Sequence, residues 1–237
     1  MTMTADPILT VEGLEAWYGE SQALFGVTLD LHEGETVTIL GRNGAGKSTT
    51  LRSIVGLIRK RQGAIRLRGQ DLMALPVHRV ARTRIGYVPE ERGIFASLSV
   101  EENLFLPPAV AEGGMSLEQI YEMFPNLYER RDSSGTQLSG GEQQMLAIAR
   151  VLRTGANVLL LDEPTEGLAP VIVERIGKLL TRLKEMGHTI LLVEQNFRFA
   201  ARIADRFFVL ENGAVVAELT RDEVAADPDA LGTYLEV

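Results

Sequence analysis

The chain has no cysteine among its 237 residues, and only 6% of its residues are aromatic. Without cysteine there can be no disulfide bond and no thiolate metal site, which fits a reducing compartment. The apolar runs fall well short of the roughly 18 residues that a membrane-spanning helix needs. Residues 1–7 lack the basic start and the apolar stretch of a secretory signal. We therefore expect a soluble protein that would reach a membrane only through a partner.

Positive charge is also scarce, because 24 lysines and arginines face 32 aspartates and glutamates, for a net charge of −8. This balance argues against a general electrostatic attraction to nucleic acid, and we expect no nucleic-acid partner. A local basic patch around residues 59–61 stays open, although a solvated turn is the simpler interpretation. A hydrophobic content of 45% is ordinary for a globular chain of one large domain or a domain with a subdomain.

A glycine-rich stretch at residues 41–49 has the spacing G-x-x-x-x-G-K-[ST] of a phosphate-binding P-loop. An apolar run predicts a strand before it, and apolar residues at helical spacing as far as Ile58 predict a helix after it. Lys47 would reach the β- and γ-phosphates of a nucleotide, and the Ser48 hydroxyl would bind Mg²⁺. The residues of this predicted site are Gly41, Arg42, Asn43, Gly44, Ala45, Gly46, Lys47, Ser48 and Thr49. An ordinary glycine-rich turn is less favoured, because every fixed position of the motif is filled.

Strand and helix patterns alternate along most of the chain, which predicts a parallel sheet covered on both faces. Residues 91–153 carry helical patterns without strand patterns, as an inserted subdomain would. The predicted division is therefore a core of residues 1–90 and 154–237 with a helical subdomain at about 91–153. Local signals predict turns at residues 17–19 and 69–71, a hairpin at Asn212-Gly213, and helix starts at Ser99, Ser116 and Thr220.

A second apolar run, residues 158–161, ends in Asp162 and Glu163. The carboxyl ends of parallel strands meet at one edge of the sheet, so these carboxylates should lie near the P-loop. Asp162 would then hold Mg²⁺ through water. Glu163 would be the general base that orients or activates the attacking water.

Residues 138–144 form another glycine-rich stretch, L-S-G-G-E-Q-Q, at the start of a predicted helix. A helix N-terminus with free N–H groups and a small hydroxyl can bind an anion. Two such stretches in one chain indicate either two nucleotides or a dimer that shares them.

The order of P-loop, helical insertion, L-S-G-G-E-Q-Q stretch and Asp162-Glu163 resembles that of ATP-binding cassette (ABC) proteins over essentially the whole chain. The resemblance implies an α/β fold with a P-loop core, an antiparallel β subdomain and a helical subdomain, with ATP and Mg²⁺ as cofactors. In that family two cassettes pack head to tail, and each ATP lies between one P-loop and the partner's signature stretch. The resemblance would make Tyr18 stack on adenine, while Ser139, Gly140 and Gly141 would bind the γ-phosphate held by a second cassette.

Three positions depart from the usual ABC pattern. Glu90 stands where a glutamine usually faces Mg²⁺ and the transport subunit, and Ala169 stands where an aspartate usually contacts the partner cassette. Gln195 stands where a histidine usually touches the γ-phosphate, and its amide can donate a hydrogen bond but cannot carry charge. Because Lys47, Asp162 and the other P-loop and carboxylate residues are present, we still expect ATP hydrolysis, with Gln195 assisting.

The residues at these three positions resemble those of the ATPase subunits of branched-chain amino-acid importers. Four short stretches carry the same resemblance: V-P-E followed by Arg92 and Phe95, S-V-E-E-N-L, G-L-A-P and V-E-Q-N. That resemblance implies a second cassette, as a homodimer in isolation or a heterodimer in the complex. It also implies transmembrane permease subunits, a substrate-binding protein and a place on the cytoplasmic face of the inner or plasma membrane. Related cassettes serve urea or short-chain amide uptake, which is the alternative substrate class.

Two other functions remain as alternatives. A non-transport cassette acting on DNA or ribosomes usually has coiled-coil insertions, tandem cassettes or basic surfaces, and the sequence shows none of these. A small-molecule kinase would use the P-loop but would leave residues 138–144 without a role.

Overall fold

Two β-sheets organise the structure, a computed structural model that describes residues 6–227. Residues 1–5 lie outside this range, and with them most of the segment that we predict not to be a secretory signal. Residues 228–237 of the predicted core also lie outside it. In the described range, no helix is both long enough and apolar enough to span a bilayer.

The strands follow the chain in two groups separated by helices. They are β1 (Leu9–Tyr18), β2 (Ser21–Leu31), β3 (Thr36–Leu40), β4 (Lys60–Leu67), β5 (Gln70–Asp71), β6 (Ile85–Val88), β7 (Val158–Asp162), β8 (Thr189–Glu194), β9 (Arg206–Glu211) and β10 (Ala214–Thr220).

The helices fall mostly between β6 and β7 and between the later strands. They are α1 (Lys47–Ile54), α2 (Val77–Val80), α3 (Val100–Phe105), α4 (Leu117–Met123), α5 (Pro125–Glu129), α6 (Gly140–Leu152), α7 (Pro170–Glu185), α8 (Phe197–Ile203) and α9 (Arg221–Ala226), with a 3₁₀ turn at Gly135–Gln137.

The larger sheet has the order β10-β9-β3-β8-β7-β6, and the smaller has the order β2-β1-β4-β5. Strands β9, β3, β8, β7 and β6 pair in parallel, while β10 and the whole smaller sheet pair antiparallel. The predicted α/β fold with a parallel core sheet and an antiparallel sheet is confirmed.

Each central strand of the parallel sheet contributes side chains to two different cores. In β7, Val158 and Leu160 pack with the antiparallel sheet and α1, whereas Leu159 and Leu161 pack with α6, α7 and α8. Because both faces are buried, these strands read as continuous apolar runs rather than as alternating ones.

Most local predictions agree with the structure, and three differ. The capping boxes at Ser99, Ser116 and Thr220 are present, and Asn212-Gly213 turns the β9–β10 hairpin with both residues at positive φ. Helix α1 ends at Ile54 and does not reach Ile58.

The physical causes of the differences are local. Gly56 has φ 84°, a left-handed conformation that ends a helix and that glycine adopts without strain. Trp17 and Tyr18 are the last residues of β1, because the turn needs only the two residues that follow them. In the third case, Gln70 and Asp71 pair with β4 as a short edge strand, where the sequence predicted a turn.

Helices α3, α4, α5 and α6 all lie between residues 91 and 153. An isolated bridge joins Ser99 and Ser134 within this stretch. The proposed boundary of the helical subdomain remains a prediction.

Strand β6 approaches α6 closely at Gly86. A Cβ at this position would lie 2.1 Å from Val151 Cγ1 and 3.0 Å from Ala156 Cβ. We expect Gly86→Ala to lower the free energy of unfolding by about 1–3 kcal/mol through overpacking, as measured by urea denaturation.

A second substitution isolates the steric cause. Val151→Ala removes the methyl group that the new Cβ would meet. The free energy of unfolding of the double variant Gly86→Ala/Val151→Ala should therefore fall by less than the sum of the two single-variant losses. Simple additivity of the two losses would contradict this packing account.

Candidate functional site

The glycine-rich loop lies between β3 and α1, where Gly46 precedes the helix with φ 104°. A Cβ on Gly46 would lie 2.7 Å from a methyl carbon of Leu24, and one on Gly41 would lie 2.4 Å from the carbonyl oxygen of Leu210. Both positions therefore require glycine for space. This close fit folds the loop back on itself in front of the N-terminus of α1, which favours anions.

Lys47 is buried at the start of α1, and its side chain is 3% exposed. Its Nζ donates to the carbonyl oxygens of Gly41 at 2.9 Å and Arg42 at 3.0 Å. It also forms an ion pair with Glu163 Oε1 at 3.0 Å. All three ammonium hydrogens thus have acceptors within the chain, and a phosphate in this loop would compete with them.

Glu163 follows β7 directly and has φ 45°, a left-handed conformation that is uncommon outside glycine. One carboxylate oxygen faces Lys47, and the other accepts a hydrogen bond from the Gln195 side-chain amide. Burial alone would raise the pKa of Glu163, but the hydrogen bonds from Gln195 and Lys47 outweigh it and lower the pKa. The carboxylate is therefore held ionised.

Ser48 and Asp162 form a second polar group beside the first. Ser48 Oγ donates to Asp162 Oδ1 at 2.8 Å, and the Tyr87 hydroxyl donates to Asp162 Oδ2 at 3.0 Å. Burial raises the pKa of Asp162 above its usual value, and these two hydrogen bonds partly oppose that rise.

The donor set near Asp162 suits Mg²⁺ only in part. Magnesium prefers oxygen ligands and is usually bound by one or two carboxylates together with substrate phosphates. Within residues 6–227, no three carboxylate or imidazole side chains are grouped closely enough to hold a metal ion by themselves. The Ser48 hydroxyl and the Asp162 carboxylate therefore fit a Mg²⁺ whose remaining ligands come from phosphates and water.

A cleft of about 740 Å³ opens over these groups. Its lining includes Tyr18, Asn43, Lys47, Ser48, Glu90 and Glu163. Tyr18 is 49% exposed, and its hydroxyl lies 3.3 Å from Thr49 Oγ1, so its ring is available at the rim of the cleft. Burial and the nearby Glu163 and Asp162 carboxylates raise the pKa of Glu90. The cleft thus concentrates negative side chains at one end, where a cation would lower their mutual repulsion.

The predicted anion site at Ser139, Gly140 and Gly141 does not line this cleft. These residues lie at the N-terminus of α6, where the Ser139 hydroxyl accepts from the Glu142 N–H at 3.3 Å. A Cβ on Gly141 would lie 2.6 Å from Ile172, so glycine allows α6 to begin close against α7. The structure therefore brings Lys47, Ser48, Asp162, Glu163 and Gln195 together and leaves residues 139–141 apart from them.

Sequence reasoning missed Tyr87 as a polar neighbour of Asp162. Tyr87 lies in β6, which pairs in parallel with β7. The available signal was the strand order, because adjacent parallel strands end at the same edge of the sheet.

The comparisons with known proteins agree with this geometry. The profile of the ABC transporter family matches residues 24–166. A high-affinity branched-chain amino acid transport ATP-binding protein, BraG of Pseudomonas aeruginosa, is 40% identical over 231 residues, which cover 96% of this chain and 99% of BraG. The lipopolysaccharide export system ATP-binding protein LptB of Haemophilus influenzae is 37% identical and covers 96% of this chain and 97% of its own.

Solved structures are similar over most of the chain as well. A dimeric ATP-binding cassette in a post-hydrolysis state, bound to ADP and Pi, superposes with a TM-score of 0.79 at 30% identity. It covers 90% of this chain and 98% of its own.

Proposed function

Because this chain belongs to the ABC transporter family and is an ATPase subunit of that family, we propose that it powers the import of branched-chain amino acids. The observation that carries the proposal is the junction of Lys47, Glu163 and Gln195 at the end of the parallel sheet. It combines a phosphate-binding cation, a candidate base and an uncharged amide that replaces the usual histidine. The similarity to BraG and the departures at Glu90, Ala169 and Gln195 favour this substrate class.

ATP would occupy the 740 Å³ cleft. The adenine ring would stack on Tyr18, and the phosphates would lie in the loop of residues 41–49 against the N-terminus of α1. Mg²⁺ would be held by Ser48 and Asp162, with Glu90 facing it, and would neutralise charge on the phosphates.

The arriving phosphates would draw Lys47 away from Glu163. The two acceptors compete for one ammonium group, and a polyphosphate carries the larger negative charge. Glu163 would then lose its ion pair, its pKa would rise towards the ordinary range, and it would accept a proton from the attacking water. Gln195 would keep one carboxylate oxygen in place and donate an amide N–H toward the phosphate.

A second cassette would complete the site. Residues 139–141 lie outside the cleft of their own chain. The Ser139 N–H and hydroxyl both donate to the Glu142 carboxylate, and the phosphates of a partner's nucleotide would take the place of that carboxylate. The partner could be a second copy or a different cassette. Hydrolysis would reopen the pair, and the loop of residues 90–95 with the helices of residues 91–153 would transmit the motion to permease subunits on the cytoplasmic face of the membrane.

The base assignment predicts a specific kinetic result. We expect Glu163→Gln to lower ATP turnover at least about 100-fold, because an amide cannot take a proton from water. ATP should still bind and should trap a dimer, as measured by phosphate release and size-exclusion chromatography. Glu174→Gln, which changes an exposed carboxylate on α7, is the matched control and should turn over normally. Normal turnover by Glu163→Gln would refute the assignment.

The substrate class requires a transport measurement. In cells that lack the gene, uptake of radiolabelled leucine, isoleucine and valine should fall, and the wild-type chain but not Glu163→Gln should restore it. The similarity to LptB makes lipopolysaccharide export a second candidate, and urea or short-chain amide uptake remains a third. Unchanged amino-acid uptake combined with a defect in one of those processes would replace the proposed substrate.

A further inference from the structure

Glu194 is a buried carboxylate that has no role in the proposed reaction. It ends β8, next to Gln195, and is 3% exposed. Burial raises its pKa to about 7, although hydrogen bonds to its carboxylate oppose the rise. Placing an ionisable group there costs stability at neutral pH, so its contacts need an explanation.

The main contact of Glu194 is with the loop that carries Glu163. Glu194 Oε1 accepts a hydrogen bond from Thr165 Oγ1 at 2.7 Å, and both side chains are buried. Glu194 Oε2 lies 3.4 Å from the backbone nitrogen of Asn196, which donates weakly to it. The carboxylate therefore joins the segment after β7 to the segment after β8.

These hydrogen bonds join the loop that carries Glu163 to the loop that carries Gln195. Thr165 is two residues after Glu163, and Glu194 directly precedes Gln195, whose amide binds Glu163. The backbone N–H of Glu163 also donates to the carbonyl of Val193 at 3.0 Å. The bond between Thr165 and Glu194 is thus a second side-chain link between the two loops, beside the bond from Gln195 to Glu163.

These contacts between the two loops would affect the orientation of Glu163 most strongly once a nucleotide is bound. Glu163 would then give up its ion pair with Lys47, and Gln195 would be its remaining side-chain partner outside its own loop, which supplies Glu166. With nucleotide bound, the orientation of the Glu163 carboxylate would therefore depend on the position of the Gln195 loop relative to the Glu163 loop.

We propose that Glu194 is a positioning residue, which holds the Glu163 and Gln195 loops in register through Thr165 so that Glu163 faces the attacking water. The proposal rests on the proposed function, in which Glu163 is the base.

Removing the donor tests the link directly. Thr165→Val keeps the shape of the side chain and deletes the hydroxyl, and we expect kcat for ATP hydrolysis to fall about tenfold, since small misplacements of a catalytic group are costly. The KM for ATP should stay within about twofold, because Thr165 does not line the cleft. Thr165→Ser keeps the hydroxyl and should restore most of kcat.

Glu194→Gln separates positioning from stability. The folded-state pKa of Glu194, about 7, lies above the ordinary 4.5. The folded protein therefore holds this proton more tightly than the unfolded chain, and the resulting stability is lost as pH rises from about 4.5 through 7. Glutamine cannot ionise, so at about pH 8 the Tm of Glu194→Gln should equal or exceed that of the wild type. At the same pH its kcat should be several-fold lower, because an amide has only one acceptor oxygen and its NH2 group would face either the Thr165 hydroxyl or the Asn196 N–H.

The groups that face Glu194 support this reading of the pH dependence. The Glu163 carboxylate is a charged neighbour that raises the pKa of Glu194. Glu163 is itself paired with Lys47. Thr165 and the Asn196 N–H face Glu194 as donors. A purely structural residue would instead lose activity only in step with Tm.

The matched control is Thr189→Val, at the opposite end of β8. Thr189 Oγ1 accepts from the Gly34 N–H at 2.9 Å, so the variant also loses one side-chain hydrogen bond, a partly buried one. It should lower Tm while leaving kcat unchanged. Wild-type kcat in Thr165→Val and Glu194→Gln, or a kcat for Thr189→Val that falls as far as that of Thr165→Val, would overturn the proposal. If Glu163→Gln also turned over normally, the base assignment would be at fault rather than the positioning role.

Discussion

The ion pair between Lys47 and Glu163 is the interaction on which the rest of the site depends. Both side chains are almost completely buried, at 3% and 7% exposure. A buried pair adds little net stability, because desolvation offsets the attraction, but removing one partner typically costs about 3–5 kcal/mol. The positions of the glycine-rich loop and of the end of β7 therefore depend on each other through this ion pair. The phosphates of a nucleotide would compete for Lys47 with this carboxylate and with the carbonyl oxygens of Gly41 and Arg42.

The fold places these two charges together through the order of its parallel strands. β3 leads into the loop before Lys47, β7 ends just before Glu163 and β8 ends just before Gln195. In the sheet, β8 lies between β3 and β7. All three carboxyl ends therefore meet at one edge. The same topology leaves residues 139–141, at the start of α6, away from that edge. The two stretches that we propose as parts of one nucleotide site therefore do not meet within the chain.

Much of this arrangement was predictable from the sequence, because it follows from strand order and fixed motif spacing. The P-loop, the strand ending at Asp162 and the capped helices all have local signals. The contacts that the sequence did not predict depend on exact side-chain register in strands buried on both faces, where no alternation marks the two sides. The bond from Tyr87 to Asp162, the contact of Lys47 with Glu163 and the link between Thr165 and Glu194 are of this kind.

The central claim is that one chain's P-loop works with another chain's residues 139–141. Lys47→Met should inactivate the P-loop, and Ser139→Arg should block the signature stretch, so each variant alone should lack ATPase activity. In a mixed dimer, one site would combine the intact Lys47 of one chain with the intact Ser139 of the other. The account predicts that mixing the two inactive proteins restores ATP hydrolysis. No recovery, although the mixed chains associate as wild-type chains do, would contradict it.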